Sequence, residues 1–330
     1  MKISWCLASP IEGLVDEARL CEAVGLDGVW YPDYRAPFSE TAALYVALTA
    51  VAASTRRLYI GSMVTDVLRR YPMVRAHAFS SLNRLAPGRV VLGVGAGAGT
   101  SVRQPVSKLQ EGINVIKMLW GATPKKPAYF KGRYFTLEEA GVPLKPSSKI
   151  PVYVASYGHK MLELTAKVAD GWIPESHTPA TYRKTLERIQ ALMKDFGRDL
   201  KDFEPCLAAI YYPFGPDDKA YNRILSAAKH YLACYPDIQW AAEQGAEHPG
   251  LRTQQLMLEP QLWDELASKV PDTLADPTII YGNVEECIDR IASFMEAGCH
   301  HIALEPYRIE KDRINDAIKT AGDKIRPRIA

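Results

Sequence analysis

No stretch of 18 uninterrupted apolar residues occurs anywhere in the 330 residues, so the sequence offers no candidate for a membrane-spanning helix. It also has no block of five or six like charges. Its 40 Lys and Arg stand against 38 Asp and Glu, a formal charge of +2. That balance argues against nucleic acid as a partner, because nucleic-acid binding calls for a basic patch or stripe. The six cysteines (Cys6, Cys21, Cys206, Cys234, Cys287 and Cys299) include no C-x-x-C pair and have no histidine at ligand spacing. They read as reduced, small apolar side chains, with neither a disulfide framework nor a metal site. The start, MKISWCLASPIEG, lacks the basic region and apolar stretch of a signal peptide, so a cytoplasmic protein is expected.

What the sequence does have is alternation. ISWCL, DGVWY, RLYIG, RVVLG, PVYVA, DGWIP, PCLAAIY and HHIAL are short apolar runs, each followed by an amphipathic stretch. Strands alternating with helices imply βαβ units and a parallel sheet, and continuously apolar strands imply burial on both faces. Eight such pairs match a closed (β/α)₈ TIM barrel, with an open doubly wound sheet as the alternative, since periodicity does not report closure. Barrels of this kind run to about 250 residues or more as one domain, so a single domain over 1–330 is expected. Two irregular stretches, about 124–150 and 235–277, read as insertions, and KGRYF in the first suggests a short hairpin. Asn283 three residues before Glu286 is expected to form a capping box at the start of a helix.

The run RVVLGVGAGAG, residues 89–99, satisfies G-x-G-x-x-A through Gly93, Gly95 and Ala98. A dinucleotide fingerprint requires an acidic residue about 20 positions on, at the end of the next strand. Met118, Leu119 and Trp120 stand there instead, inside a helical pattern, so a nicotinamide site is not supported. In a barrel these glycines fall at the C-terminal end of the fourth strand, the face where such enzymes work. Gly95 and Gly97 would let a flat ring or a neighbouring loop approach the backbone, and a glycine-rich turn serving packing alone stays open.

Five blocks carry a resemblance to a known family: AVGLDGVWYPD at 23–33, RLYIGSMVTDVLRRYP at 57–72, LAPGRVVLGVGAG at 85–97, IPVYVASYGHKMLELTAKVADGWIP at 150–174 and YGNVEECIDRIASFMEAGCHHIAL at 281–304. They resemble the bacterial luciferase-like superfamily, in particular its deazaflavin-dependent oxidoreductases, and within that branch the methylenetetrahydromethanopterin reductases and phthiodiolone-type ketoreductases. The resemblance implies a barrel with insertions whose cofactor, the deazaflavin coenzyme F-420, lies across the C-terminal mouth, with FMN as the alternative. It also implies a non-proline cis peptide between Met63 and Val64, just before Thr65 and Asp66, backing the cofactor's central ring. The loop ASYGHKM, with Ser156, Tyr157, Gly158, His159 and Lys160, could be a plain helix start or a phosphate cradle, and the resemblance favours the cradle. A longer anionic tail would need cations, and Arg69, Arg70 and Lys160 lie in segments expected at that face. The sequence departs from its relatives in two places: Tyr34 follows Asp33 where many have histidine, and Ala98 stands where several have a carboxylate. These departures keep a catalytically silent cofactor-binding relative open, beside an FMN-dependent monooxygenase.

Hydride transfer to a carbonyl or iminium carbon also needs a proton source if an alkoxide forms. DGWIPESHTP delivers Glu175 and His177 to the end of the sixth strand, and a partly desolvated carboxyl there could hold a proton near neutral pH. Glu175 is the expected acid and His177 the alternative, with Asp33 and Tyr34 as further candidates beside the cofactor. His300 and His301 begin the eighth strand, at the opposite face, and are expected to be structural. The partner is a small-molecule substrate, and assembly as a homodimer is compatible with this reading.

Overall fold

Eight parallel strands close on themselves. They are β1 (Lys2–Cys6), β2 (Gly28–Tyr31), β3 (Tyr59–Ser62), β4 (Val90–Gly95), β5 (Val152–Val154), β6 (Gly171–Trp172), β7 (Glu204–Tyr212) and β8 (His301–Glu305). Each pairs in parallel with the next, and β8 pairs back onto β1 through Lys2 opposite His301, so the sheet has no open edge. This computed structural model describes residues 1–33, 42–97, 105–215, 217–234, 260–307 and 309–329. Closure decides between the two architectures that periodicity left open, and the eight expected runs are the eight barrel strands.

Local chemistry accounts for the outer ring of helices. Helix α1 (Leu14–Ala23) buries Leu14, Ala18 and Cys21 on one stripe, and Gly25, at φ +87°, follows it in the left-handed conformation that glycine adopts without a steric penalty. Helices α2 (Leu44–Ser54), α3 (Pro72–Leu85) and α4 (Pro105–Gly121) follow β2, β3 and β4, and the last two begin on proline, whose missing N–H is no loss in the first turn. Helix α5 (His159–Val168) follows β5, α6 (Pro179–Asp195) follows β6, and α7 (Asp218–Cys234) follows β7. Before β8, α8 (Val284–Glu296) opens with the expected capping box, Asn283 accepting from the N–H groups of Glu285 and Glu286 while Glu286 accepts from that of Asn283. The first insertion forms an antiparallel hairpin, Ala128–Lys131 against Thr136–Ala140. Residues 235–259 of the second insertion lie outside the described residues. Among the described residues no helix is long and apolar enough to cross a membrane.

The inside of the barrel is a core of its own. Successive strand residues point to opposite faces. One set packs outward against the helices, while Trp30, Val91, Tyr153, Ile173, Cys206 and Ala303 form a separate buried cluster. Trp30 fills its lower part because Gly61 on the next strand leaves room: a Cβ there would lie 2.3 Å from the indole. The Trp30 indole donates to Ser4 Oγ at 2.7 Å, and Ser4 Oγ lies 2.8 Å from His301 Nε2. His301 is therefore part of the barrel floor, as expected of that face.

Candidate active site

The same alternation, carried two residues further along each strand, defines the mouth. Above Tyr153 comes Ala155, above Ile173 comes Glu175, above Ala303 comes Glu305, and above Ser4 comes Cys6. Met63, Val64 and Ala155 are partly buried and pack on top of the interior cluster, forming an apolar ledge that is open towards the mouth. The peptide between Met63 and Val64 is cis, at the expected position. Beyond it the chain resumes pairing with β4, Thr65 opposite Val94 and Asp66 opposite Gly95. Gly93 and Gly95 are what allow this approach. A Cβ on Gly93 would lie 2.0 Å from the Ser62 carbonyl oxygen, and one on Gly95 would sit between Val64 and Ala155, 3.0 Å from the former. Neighbouring backbone and side chain therefore come close here, and Gly95 also leaves the edge of the ledge bare. Gly97 follows at φ +86°, while Ala98 lies outside the described residues.

At the same rim, after β6 and at the end of β8, stand two carboxyl groups. Glu175 is paired with Ala208 of β7 and Glu305 with Ile210 of the same strand, so the two residues flank β7 two positions apart. Both are half-buried. Burial, and then the neighbouring carboxyl of Glu305, pushes the Glu175 pKa up to about 8. Burial likewise raises Glu305, opposed by the hydroxyl of Tyr231, which donates to its Oε1 at 3.3 Å. The expected acid thus holds its proton more tightly than an ordinary carboxyl does. Glu175 is further fixed by its backbone N–H, which donates to the Tyr157 hydroxyl at 2.9 Å. Glu305 and Cys6 are mouth residues that the sequence reading did not single out. The sign was present in HHIALE, whose glutamate closes an apolar run in step with Ala303.

His177 is not at the mouth. Ser176 adopts a left-handed conformation, φ +55°, and the chain turns inward, leaving His177 only 2% exposed. Its ring stacks on Tyr157 (6.0 Å between centroids, 9° between planes) and meets Trp172 edge-on. Burial lowers its pKa to about 3, so it is neutral. Nδ1 lies 3.2 Å from Thr181 Oγ1.

Asp33 holds the ends of β2 and β3 together. Its Oδ2 accepts from Thr65 Oγ1 at 2.5 Å and from the Arg70 guanidinium at 2.7 Å, with Arg69 at 3.2 Å. Asp66 pairs with Arg69 and accepts from the N–H groups of Leu68 and Arg69; these contacts outweigh burial and hold its carboxyl below the usual range. The two arginines expected to serve an anionic tail are thus engaged with Asp33 and Asp66, because both carboxylates are buried beside them and need a counter-charge. Tyr34 lies outside the described residues. In the ASYGHKM loop the Ser156 hydroxyl lies 2.7 Å from Thr165 Oγ1. Gly158 is the N-cap of α5, and His159 and Lys160 are exposed in its first turn.

A cleft of about 320 Å³ opens at the other end of the barrel, lined by Lys2, Tyr59, Tyr153, Glu204 and His301 among others. Ion pairs Lys2–Glu204 and Lys149–Asp170 occupy it. At the mouth, by contrast, strand ends bring together an apolar ledge and a carboxyl with a raised pKa.

A closed (β/α)₈ barrel with that ledge and a raised carboxyl at the C-terminal ends of its strands has the architecture of a barrel enzyme. The chain belongs to the luciferase-like monooxygenase family, whose model matches residues 5–301. It is 31% identical over 293 residues to the phthiodiolone/phenolphthiodiolone dimycocerosates ketoreductase of Mycobacterium tuberculosis, covering 82% of this chain and 74% of the relative. It is 26% identical over 323 residues to the 5,10-methylenetetrahydromethanopterin reductase of Archaeoglobus fulgidus, covering 94% of each. The F-420-dependent glucose-6-phosphate dehydrogenase of Nakamurella multipartita is 27% identical, covering 96% and 92%. Among solved structures, an F-420-dependent secondary alcohol dehydrogenase holding an F-420–acetone adduct has the same fold, with a TM-score of 0.81 at 23% identity, covering 100% of this chain and 99% of that one.

Proposed function

We propose that the protein is an oxidoreductase dependent on the deazaflavin coenzyme F-420, moving a hydride between that coenzyme and a carbonyl or alcohol carbon, or an iminium-type carbon, of a small-molecule substrate. The relatives named for F-420 dependence and for ketone or methylene-pterin reduction support this reading. The observation that carries it is the juxtaposition of the apolar ledge of Met63, Val64 and Ala155 with the raised carboxyl of Glu175 at the mouth. A flat, largely apolar ring fits the ledge, and Gly95 leaves it room: a Cβ there would stand between Val64 and Ala155. The exposed start of α5 at Gly158, His159 and Lys160 would serve the phosphate-bearing tail, through backbone N–H groups and the helix dipole. When bound, the coenzyme supplies or accepts the hydride.

The chain's own residues do the rest. Asp33, Thr65 and Arg70 lock the ends of β2 and β3, so that the ledge keeps its shape. Tyr157 and β7 hold Glu175 in place. In the reducing direction the substrate carbon gains the hydride with its electron pair, the substrate oxygen takes the proton of the Glu175 carboxyl, and Glu175 is left as carboxylate until solvent reprotonates it. In the oxidising direction Glu175 accepts that proton. Its raised pKa keeps both forms accessible near neutral pH, which is what a general acid–base group requires.

Glu175→Gln keeps the shape of the side chain and removes the transferable proton. The single-turnover rate of hydride transfer with a ketone substrate is expected to fall by about 10²-fold or more, with coenzyme affinity little changed. An unchanged rate would move the proton to another group, and no turnover of any carbonyl or alcohol by the coenzyme-loaded wild type would mean a silent cofactor-binding protein.

A further inference from the structure

Glu305 has no place in the mechanism above, yet it faces the same space as Glu175. Parity along β8 puts it on the inward side with Ala303, and pairing with β7 puts it level with Ile210, one inward position above the Ala208 that pairs with Glu175. The groups around the two are a buried thiol, a neutral histidine, two phenols and a third carboxylate. Cys6 stands at the end of the neighbouring β1, its thiol raised by burial and by Glu305, Glu17 and Glu175. Glu17 of α1 is committed, accepting from the Trp5 indole at 2.7 Å and from the N–H groups of Ala8 and Ser9. Tyr157 is engaged with the backbone of Glu175, Tyr231 of α7 donates to Glu305, and His177 is neutral beneath. Among the described residues no Lys, Arg or protonated His forms an ion pair with Glu175 or Glu305. Two like charges in a half-buried site, with no counter-ion among the described residues, do not both ionise near neutral pH.

We infer that Glu305 is a second acid–base residue, coupled through its charge to Glu175 across the end of β7, and that Tyr231 biases the proton of the pair towards Glu175 by donating to Glu305. The inference rests on the proposed hydride transfer for its use, but the pair itself is a property of the chain. A pair of this kind delivers one proton to the substrate oxygen. It then stands as two carboxylates, whose repulsion favours recapture of a proton from solvent before the next turnover. It also disfavours a substrate carrying its own anion next to the reacting carbon.

The test is an infrared titration of the carboxyl C=O stretch in the full-length chain, with and without coenzyme F-420. Wild type is expected to keep one protonated carboxyl at neutral pH and to lose it in a step well separated from the surface acids. Glu305→Gln removes the like charge, and the remaining step is expected to fall by about one pH unit or more. Tyr231→Phe, a milder change, is expected to raise the lower-pH step and leave the fold intact. A Glu305→Gln step within about 0.3 unit of wild type, or a Tyr231→Phe titration that superimposes on wild type, would overturn the pair. If the titration behaves as expected while the coenzyme does not bind, the pair stands and the functional reading fails.

Discussion

Adding one methyl group at Gly93 should separate the account of the ledge from a purely structural one. Gly93 donates its N–H to Ser62 Oγ at 3.1 Å and accepts from that hydroxyl at its carbonyl oxygen at 2.8 Å, so β3 and β4 are clasped at this point. In Gly93→Ala the new Cβ would lie 2.0 Å from the Ser62 carbonyl oxygen, whereas carbon and oxygen ordinarily approach to about 3.3 Å. The two strands must part by more than about 1 Å, and because the obstacle is backbone no rotamer relieves it. Overpacking of this kind costs about 1–3 kcal/mol, and the shift falls one residue before the Met63–Val64 bond that shapes the ledge. Gly95→Ala is the matched control. Among the described residues its Cβ meets only the Val64 side chain, 3.0 Å away, and Ala155, 3.7 Å away. That variant should lose less than about 1 kcal/mol, yet it places a methyl on the open edge. Denaturant unfolding and fluorescence titration with coenzyme F-420 read the two effects separately. Gly93→Ala should lose both stability and binding, and Gly95→Ala should lose at least about tenfold in affinity, some 1.4 kcal/mol, at nearly wild-type stability. Wild-type binding by Gly95→Ala would refute the placement of a ring on this ledge.

Three further outcomes follow from the acids and the buried imidazole. Because the folded state binds the Glu175 proton more tightly than the unfolded state, stability drains as pH rises from 4.5 through about 8. Glu175→Gln, which does not titrate, should gain on wild type across that window, as read by melting temperature at pH 5 and pH 9; parallel pH dependences would show an unraised carboxyl. His177 runs the other way: its pKa falls from 6.5 to about 3 on burial, so stability is lost as pH drops through that interval. His177→Gln should lose less stability between pH 7 and pH 4 than wild type does, whatever its stability at pH 7, while keeping hydride-transfer activity. An activity loss matching that of Glu175→Gln would return His177 to the reacting centre.

The fold was legible because each barrel strand is buried on both faces and so writes an unbroken apolar run, as EPCLAAIYY does by burying all but its first residue. Helix starts were legible where a side chain does the capping, as Asn283 does. Glu175 could be read from its place after DGWIP. The place of Glu305 near it needed the pairing of β7 with both β6 and β8, a relation between residues 130 positions apart that no local pattern carries. The place of His177 turned on one left-handed residue, Ser176, a conformation that serine does not announce. Arg69 and Arg70 looked available as cations because a sequence does not show that Asp33 and Asp66 fold back onto them.

The central claim is that the mouth takes coenzyme F-420 and uses it for hydride transfer, and the most direct measurement is a parallel fluorescence titration of the full-length chain with F-420 and with FMN. Tight binding of F-420 and at least about tenfold weaker binding of FMN is the predicted result, a difference of about 1.4 kcal/mol, on the scale of one charge-assisted contact between the longer tail and the exposed Lys160. Equal or tighter binding of FMN would contradict the account and point to a flavin monooxygenase instead.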